Sequence, residues 1–150
     1  MRTIELLSSF LLDAESGNLK TSHYPKEFKN LRMKVSFGMG GVARVPWISF
    51  FTPEMSTSNG YYPVYLFYKE ERKLVLSFGV SETNDFGKGW GDKIIGESQK
   101  ISELIDSPPR YGDSWVFKVY DVDHGIAGIQ LSQNGKQLEE TLLGDCAIVD

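Results

Sequence analysis

One cysteine in 150 residues, Cys146, excludes an internal disulfide and points to a reducing, cytoplasmic setting. No apolar run approaches the roughly 20 residues that a membrane span needs, so no membrane partner is expected. The opening MRTIELLSSFLLDAESG carries one arginine before apolar residues. Glu5 interrupts those residues and no A-x-A pattern follows, so a secretory leader is not expected. Histidine is scarce too: His23 and His124 stand far apart, neither at metal-ligand spacing. Asp121-Val122-Asp123-His124 is better read as a solvated turn than as a cation loop. Gly87-Lys88-Gly89 lacks both the Ser or Thr and the upstream Gly of a phosphate-binding Walker loop. There is no GxSxG, no suggestive Cys-His pair and no nuclease-like D…E-x-K arrangement. Cys146 has no obvious base beside it and reads as an inert thiol. These absences make the chain a binder rather than an enzyme, with no cofactor of its own.

What is present suits one ordinary domain with a real core: 41% hydrophobic and 24% charged residues. The net charge of −4 argues against a wholly basic nucleic-acid protein, but the charge is unevenly placed. Between Asn18 and Pro53 stand Lys20, Lys26, Lys29, Arg32, Lys34 and Arg44 against one acid, Glu27. That stretch is +5, which leaves −9 for the remainder of a −4 chain. A face meeting a phosphate backbone would look like this, and so would a solvated basic surface.

Periodicity supplies the elements. Ile4, Leu7 and Leu11, widened by Phe10, predict an amphipathic helix over residues 3–15, stopped by Ser16-Gly17-Asn18. KEFKNLR (26–32) predicts a short helical turn. Strands are predicted at MKVSFG (33–38), VPWISFF (45–51), YYPVYLFYK (61–69), KLVLSFGVS (73–81) and residues 115–120. Pro46 pushes its strand towards an edge or bulge, and Pro63 implies an irregularity in a strand apolar on both faces. Gly38-Met39-Gly40-Gly41 is a flexible joint, and Asn59-Gly60 a turn. Helices are predicted from about Gly89 to Asp106, ended by Ser107-Pro108-Pro109, and over 136–144. There is no internal repeat and no long linker. The class is α+β: a single domain with a central, curved, mainly antiparallel sheet flanked by helices.

The aromatic set carries the most chemistry. Tyr62 and Leu66 are four apart on a strand and share a face. Strand alternation turns Trp47 towards the same hollow, and Tyr111 joins them as a candidate. Two readings stand: these side chains are core, or they line a pocket.

At this point the residues resemble a known family. The run Asn30-Leu31-Arg32-Met33-Lys34-Val35-Ser36-Phe37-Gly38 follows Tyr24-Pro25. After it come Pro46-Trp47, Ser58-Asn59-Gly60, Tyr62-Pro63-Val64, Leu66, Tyr68-Lys69, Leu74-Val75-Leu76, Gly79, Ser81 and Thr83-Asn84. This pattern resembles the N-terminal domains of the McrB family, the DNA-recognising subunits of bacterial modified-cytosine restriction systems. The likeness covers residues 24–84 and resumes weakly at Tyr111-Gly112. It implies a reader of modified (5-methyl or 5-hydroxymethyl) cytosine in double-stranded DNA that swings the base out of the duplex. By position, the base pocket would be Trp47, Tyr62, Leu66, Glu82 and Tyr111, and Met39 would be the wedge that fills the gap. Lys20, Lys26, Lys29, Arg32, Lys34, Gly40, Gly41 and Arg44 would meet the DNA backbone. The resemblance also implies a longer protein with an AAA+ motor using GTP and Mg, and a McrC-type nuclease partner, whose motifs do not occur here. The sequence departs from the family at Met39, where an enterobacterial relative has tyrosine, and at Glu82, where it has aspartate. Methionine is still an apolar wedge. Those departures keep open a reader of another DNA modification, such as N6-methyladenine, or of an unmodified sequence motif. A protein-interaction domain with a purely structural aromatic set is the rival outside DNA recognition.

Overall fold

Helix α1 (Thr3–Ser16) forms where apolar residues recur on one face, and from Leu6 onward that face is buried in a computed structural model of the chain. The structure describes residues 3–28, 31–51, 61–80 and 98–122. Leu6, Leu7, Phe10, Leu11 and Ala14 make the buried face. Each fully buried Leu or Phe contributes roughly 1.5–3 kcal/mol. Gly17, at φ 78°, ends the helix in the left-handed conformation that glycine adopts without a Cβ penalty.

Six strands follow among the described residues. They are β1 (Glu27–Phe28), β2 (Leu31–Ser36), β3 (Trp47–Phe51), β4 (Tyr61–Tyr68), β5 (Lys73–Val80) and β6 (Trp115–Asp121). They lie in sequence order in one sheet, and every neighbouring pair is antiparallel. The expected α+β class with an antiparallel sheet is therefore what the chain adopts. A short helix, α2 (Ile101–Leu104), precedes β6.

Alternation along β4 divides the interior in two. Tyr65 and Phe67 point to α1 and join Leu6, Phe10, Phe37, Ile48, Phe50 and Leu74 in one cluster. Tyr62, Val64, Leu66 and Tyr68 point the other way, to Val45, Phe51, Val75 and, in α2, Ile101 and Ile105 just beyond it. The doubly apolar β4 is thus covered on both sides, as its composition demanded.

Several expectations need correction. KEFKNLR does not make a helical turn: Glu27–Phe28 pairs with Leu31–Arg32 as the hairpin β1–β2. Burial of Phe28 against Phe50, with rings 5.9 Å apart, outweighs the local helical spacing. Pro46 does not force an edge, because β3 lies inside the sheet. The proline precedes the strand, needs no donor there, and its carbonyl accepts the amide of Phe67 at 2.9 Å. Pro63 behaves as expected: β3–β4 pairing stops at Ser49–Val64, one residue short of it. The helix expected up to Asp106 is confined, among the described residues, to Ile101–Leu104. Lys100 is extended and bridges to Trp115 instead. Residues 89–97 of that helix, the 136–144 helix, the Asn59-Gly60 turn, His124 and Cys146 lie outside the described residues.

Candidate functional site

The face of the sheet opposite α1 is not filled to its margin. A pocket of about 600 Å³ opens over β3 and β4. Cross-strand register explains its floor. Trp47 faces Leu66, Ser49 faces Val64, and Tyr62 faces Gly79, all on one side of the pleat. Leu66 is 1% exposed and Tyr62 6%, so both serve the apolar core as well as the pocket wall. Trp47 and Tyr111 are half-buried and pack against that core from its edge. The core and pocket readings of the aromatic set therefore each hold for part of it.

Tyr62 is oriented by its neighbours. Phe51 meets its ring edge-on, with centroids 5.2 Å apart. Beneath it, Gly79 leaves space that a side chain would occupy: a Cβ there would lie 2.7 Å from the Tyr62 carbonyl oxygen and from Val64 Cγ1. Glycine at this position, one residue before the end of β5, lets Tyr62 and Val64 pack close against the strand.

Two segments build the rim. The first is the joint after β2. The Ala43 amide donates to the Phe37 carbonyl at 2.8 Å, closing residues 38–42 into a loop. Gly38 (φ 123°) and Gly40 (φ 76°) supply the left-handed turns, and a Cβ on Gly38 would collide with the Gly41 carbonyl. The loop presents Met39 at its tip, 97% exposed, beside the pocket mouth. The second segment is 109–114. The Tyr68 hydroxyl donates to the Arg110 carbonyl at 2.9 Å, and the Ser102 amide donates to the Gly112 carbonyl at 3.1 Å. So braced, Tyr111 takes φ 64°, a strained conformation for a bulky residue, and faces the pocket. The Arg110 guanidinium stacks 4.7 Å from the centre of its ring.

The structure thus brings Trp47, Tyr62, Leu66, Tyr111, Met39, Gly41 and Arg44 around one opening. Arg32 and Lys34 are exposed on the same side of β2 as Ser36, a pocket residue, although Glu27 lies across from Arg32. Lys20 and Lys26 are exposed but do not line the pocket; Lys20 follows Leu19, which packs on the α1 side. Gly40 is in the closed joint. Glu82 and Lys29 lie outside the described residues. Sequence reasoning missed Arg110, Ser49 and Gly79. Arg110 had a signal in its place beside Tyr111, and Gly79 in being a glycine inside a strand pattern. Ser49 had only its parity with Trp47.

Away from the pocket, Asp13 clamps α1 to the loop before β1. Its Oδ2 accepts the Tyr24 hydroxyl at 2.6 Å and lies 2.8 Å from His23 Nε2. Burial alone would raise the Asp13 pKa, but those two partners bring it below the ordinary carboxylate value. Burial, helped by Asp13, raises the Tyr24 phenol well above its usual range. Asp121, the first residue of the acidic run near His124, is engaged by Lys73 at 2.7 Å.

Comparison with known proteins adds two findings. The family described as "MrcB-like, N-terminal domain" matches residues 11–110. The chain is 37% identical over 111 residues to the type IV methyl-directed restriction enzyme EcoKMcrB subunit of Escherichia coli K12. That match takes in 71% of this chain and 24% of the E. coli protein, so the chain spans about a quarter of that relative's length.

Proposed function

The chain belongs to the MrcB-like N-terminal domain family, and from that premise we propose that it is a DNA-reading module that takes a modified cytosine, swung out of duplex DNA, into the pocket over β3 and β4. The observation that carries this reading is the coincidence of an open aromatic slot with an exposed apolar residue and two guanidinium groups at its mouth. Trp47, Tyr62 and Tyr111 offer faces for stacking, Leu66 an apolar contact for a methyl group, and Met39 a wedge for the vacated stack. Glu82 is the proposed acceptor for the base's amino group. Arg44 and Arg110 at the mouth, with Arg32 and Lys34 beyond, would meet phosphates.

Magnitudes divide the labour. Stacking a base on an aromatic ring contributes roughly 1–3 kcal/mol, and extruding it from the duplex costs a few kcal/mol. The two nearly cancel, so phosphate contacts must supply most of the affinity. A methyl group packed on Leu66 or Trp47 adds only about 0.8 kcal/mol, about fourfold. Stronger preference for a modified base would have to come from easier extrusion or from the dryness of the slot.

Trp47→Ala tests the reading. Its half-buried side chain sits at the margin of the core, so the fold should survive while preference for methylated over unmethylated duplex disappears. Loss of the fold with Trp47→Ala would favour the rival interaction domain, and undiminished preference would remove Trp47 from the pocket. In the longer relatives' setting, the module would be the targeting part of a modification-dependent restriction system, acting with a GTP-driven motor and a McrC-type nuclease.

A further inference from the structure

Serines on the pocket side of the sheet have different fates. Ser36 Oγ accepts the Gly38 amide at 3.3 Å, and Ser77 Oγ donates to the Val64 carbonyl at 3.3 Å. Ser49 Oγ is buried and has no hydrogen-bond partner among the described residues, although Ser49 forms part of the pocket wall. It lies between Lys34 on β2 and Val64 on β4, two residues from Trp47 and on the same face. Ser49 is 1% exposed where Met39 is 97%, so it belongs to the floor and Met39 to the rim. A buried hydroxyl without a partner weakens the free protein, which leaves its purpose to be found in what enters the pocket.

Resting on the base-pocket reading, we propose that Ser49 is a specificity-determining residue whose hydroxyl accepts a hydrogen bond from the exocyclic 4-amino group of the inserted base. An extruded base stays tethered at the rim through its glycosidic nitrogen. The ring position opposite that nitrogen is C4, which therefore arrives at the floor first. In cytosine C4 carries an amino group, a donor, and the serine oxygen has lone pairs to receive it. The flanking side chains Trp47, Val64 and Leu66 contain no oxygen that could do so.

A thermodynamic cycle across the interface tests this. Wild type and Ser49→Ala are each titrated with two duplexes, one carrying 5-methylcytosine and one carrying 5-methyl-2-pyrimidinone, the same base without its amino group, and wild type also with the duplex carrying unmodified cytosine. Altered pairing in the second duplex affects both proteins alike and cancels. Wild type should lose affinity when the amino group is removed. Ser49→Ala should bind the 5-methylcytosine duplex about three- to tenfold more weakly and be less sensitive to the amino group than wild type, keeping only the part that Glu82, as acceptor of the second amino hydrogen, supplies. Its melting temperature should equal or exceed that of wild type, because an unpartnered hydroxyl has been removed. A lowered melting temperature, or the same amino-group dependence in both proteins, overturns the role of Ser49. If wild type then still prefers methylated to unmethylated duplex, the base-pocket reading stands without it. Absence of that preference in wild type takes down both.

Discussion

Gly79 sets the position of Tyr62 by having no side chain. A methyl group at that position would press on the Tyr62 carbonyl and on Val64, and would lie 3.2 Å from Tyr62 Cε2. Two of these contacts are with backbone or a branched side chain in the middle of a sheet, where little can give. Gly79→Ala should therefore cost about 1–3 kcal/mol, read as a lowered midpoint in urea unfolding. The protein that remains folded should discriminate modified from unmodified duplex less well, because the Tyr62 ring is displaced. A fully stable Gly79→Ala with unaltered discrimination would mean that Tyr62 needs no such support. Legibility at this scale followed chemistry: Trp47, Tyr62 and Leu66 declared themselves by strand parity, whereas Ser49 is one polar residue in an apolar strand. Whether its hydroxyl has a partner depends on residues distant in sequence.

Elements were legible where periodicity and burial agree. α1 and the five longer strands β2–β6 follow their expected bounds to within a few residues. β1 was misread because two residues define it, and the force that makes it a strand is the packing of Phe28 on Phe50. The segment before β6 was misread because Lys100 and Ile101 are held by Trp115 and Ser114, contacts no local spacing announces. The attachment of α1 carries its own prediction. Asp13 has a folded-state pKa below its ordinary value of 3.8, so its stabilising effect is whole above pH 3.8 and is lost as pH falls through the folded value. Asp13→Asn should destabilise the protein at pH 7 by about 1 kcal/mol, since the site is partly exposed and screened. The difference between wild type and variant, followed by thermal melting, should shrink below pH 3.8. A difference constant down to the lowest pH at which the protein folds would mean that the charge of Asp13 is immaterial.

For the whole molecule, the net charge is −4, yet the pocket mouth carries Arg44 and Arg110, with Arg32 and Lys34 on the neighbouring strand. The linear clustering of cations between Asn18 and Pro53 pointed to this face but overstated it, since Lys20 and Lys26 do not line the pocket and Arg110 comes from a remote segment. If these side chains meet phosphates, affinity for duplex DNA should fall steeply with salt. Arg110→Ala should reduce the slope of log K against log salt by about 1 and weaken binding to methylated and unmethylated duplex alike. An unchanged slope would place Arg110 outside the phosphate contact.

The central claim, that the slot over β3 and β4 receives a modified cytosine, is tested most directly by one binding panel. Wild type and Tyr62→Ala are titrated with otherwise identical duplexes carrying cytosine, 5-methylcytosine, 5-hydroxymethylcytosine or N6-methyladenine. A base pocket predicts that wild type prefers the modified cytosines and that folded Tyr62→Ala binds all four alike through its remaining phosphate contacts. Equal affinity of wild type for all four duplexes would contradict it.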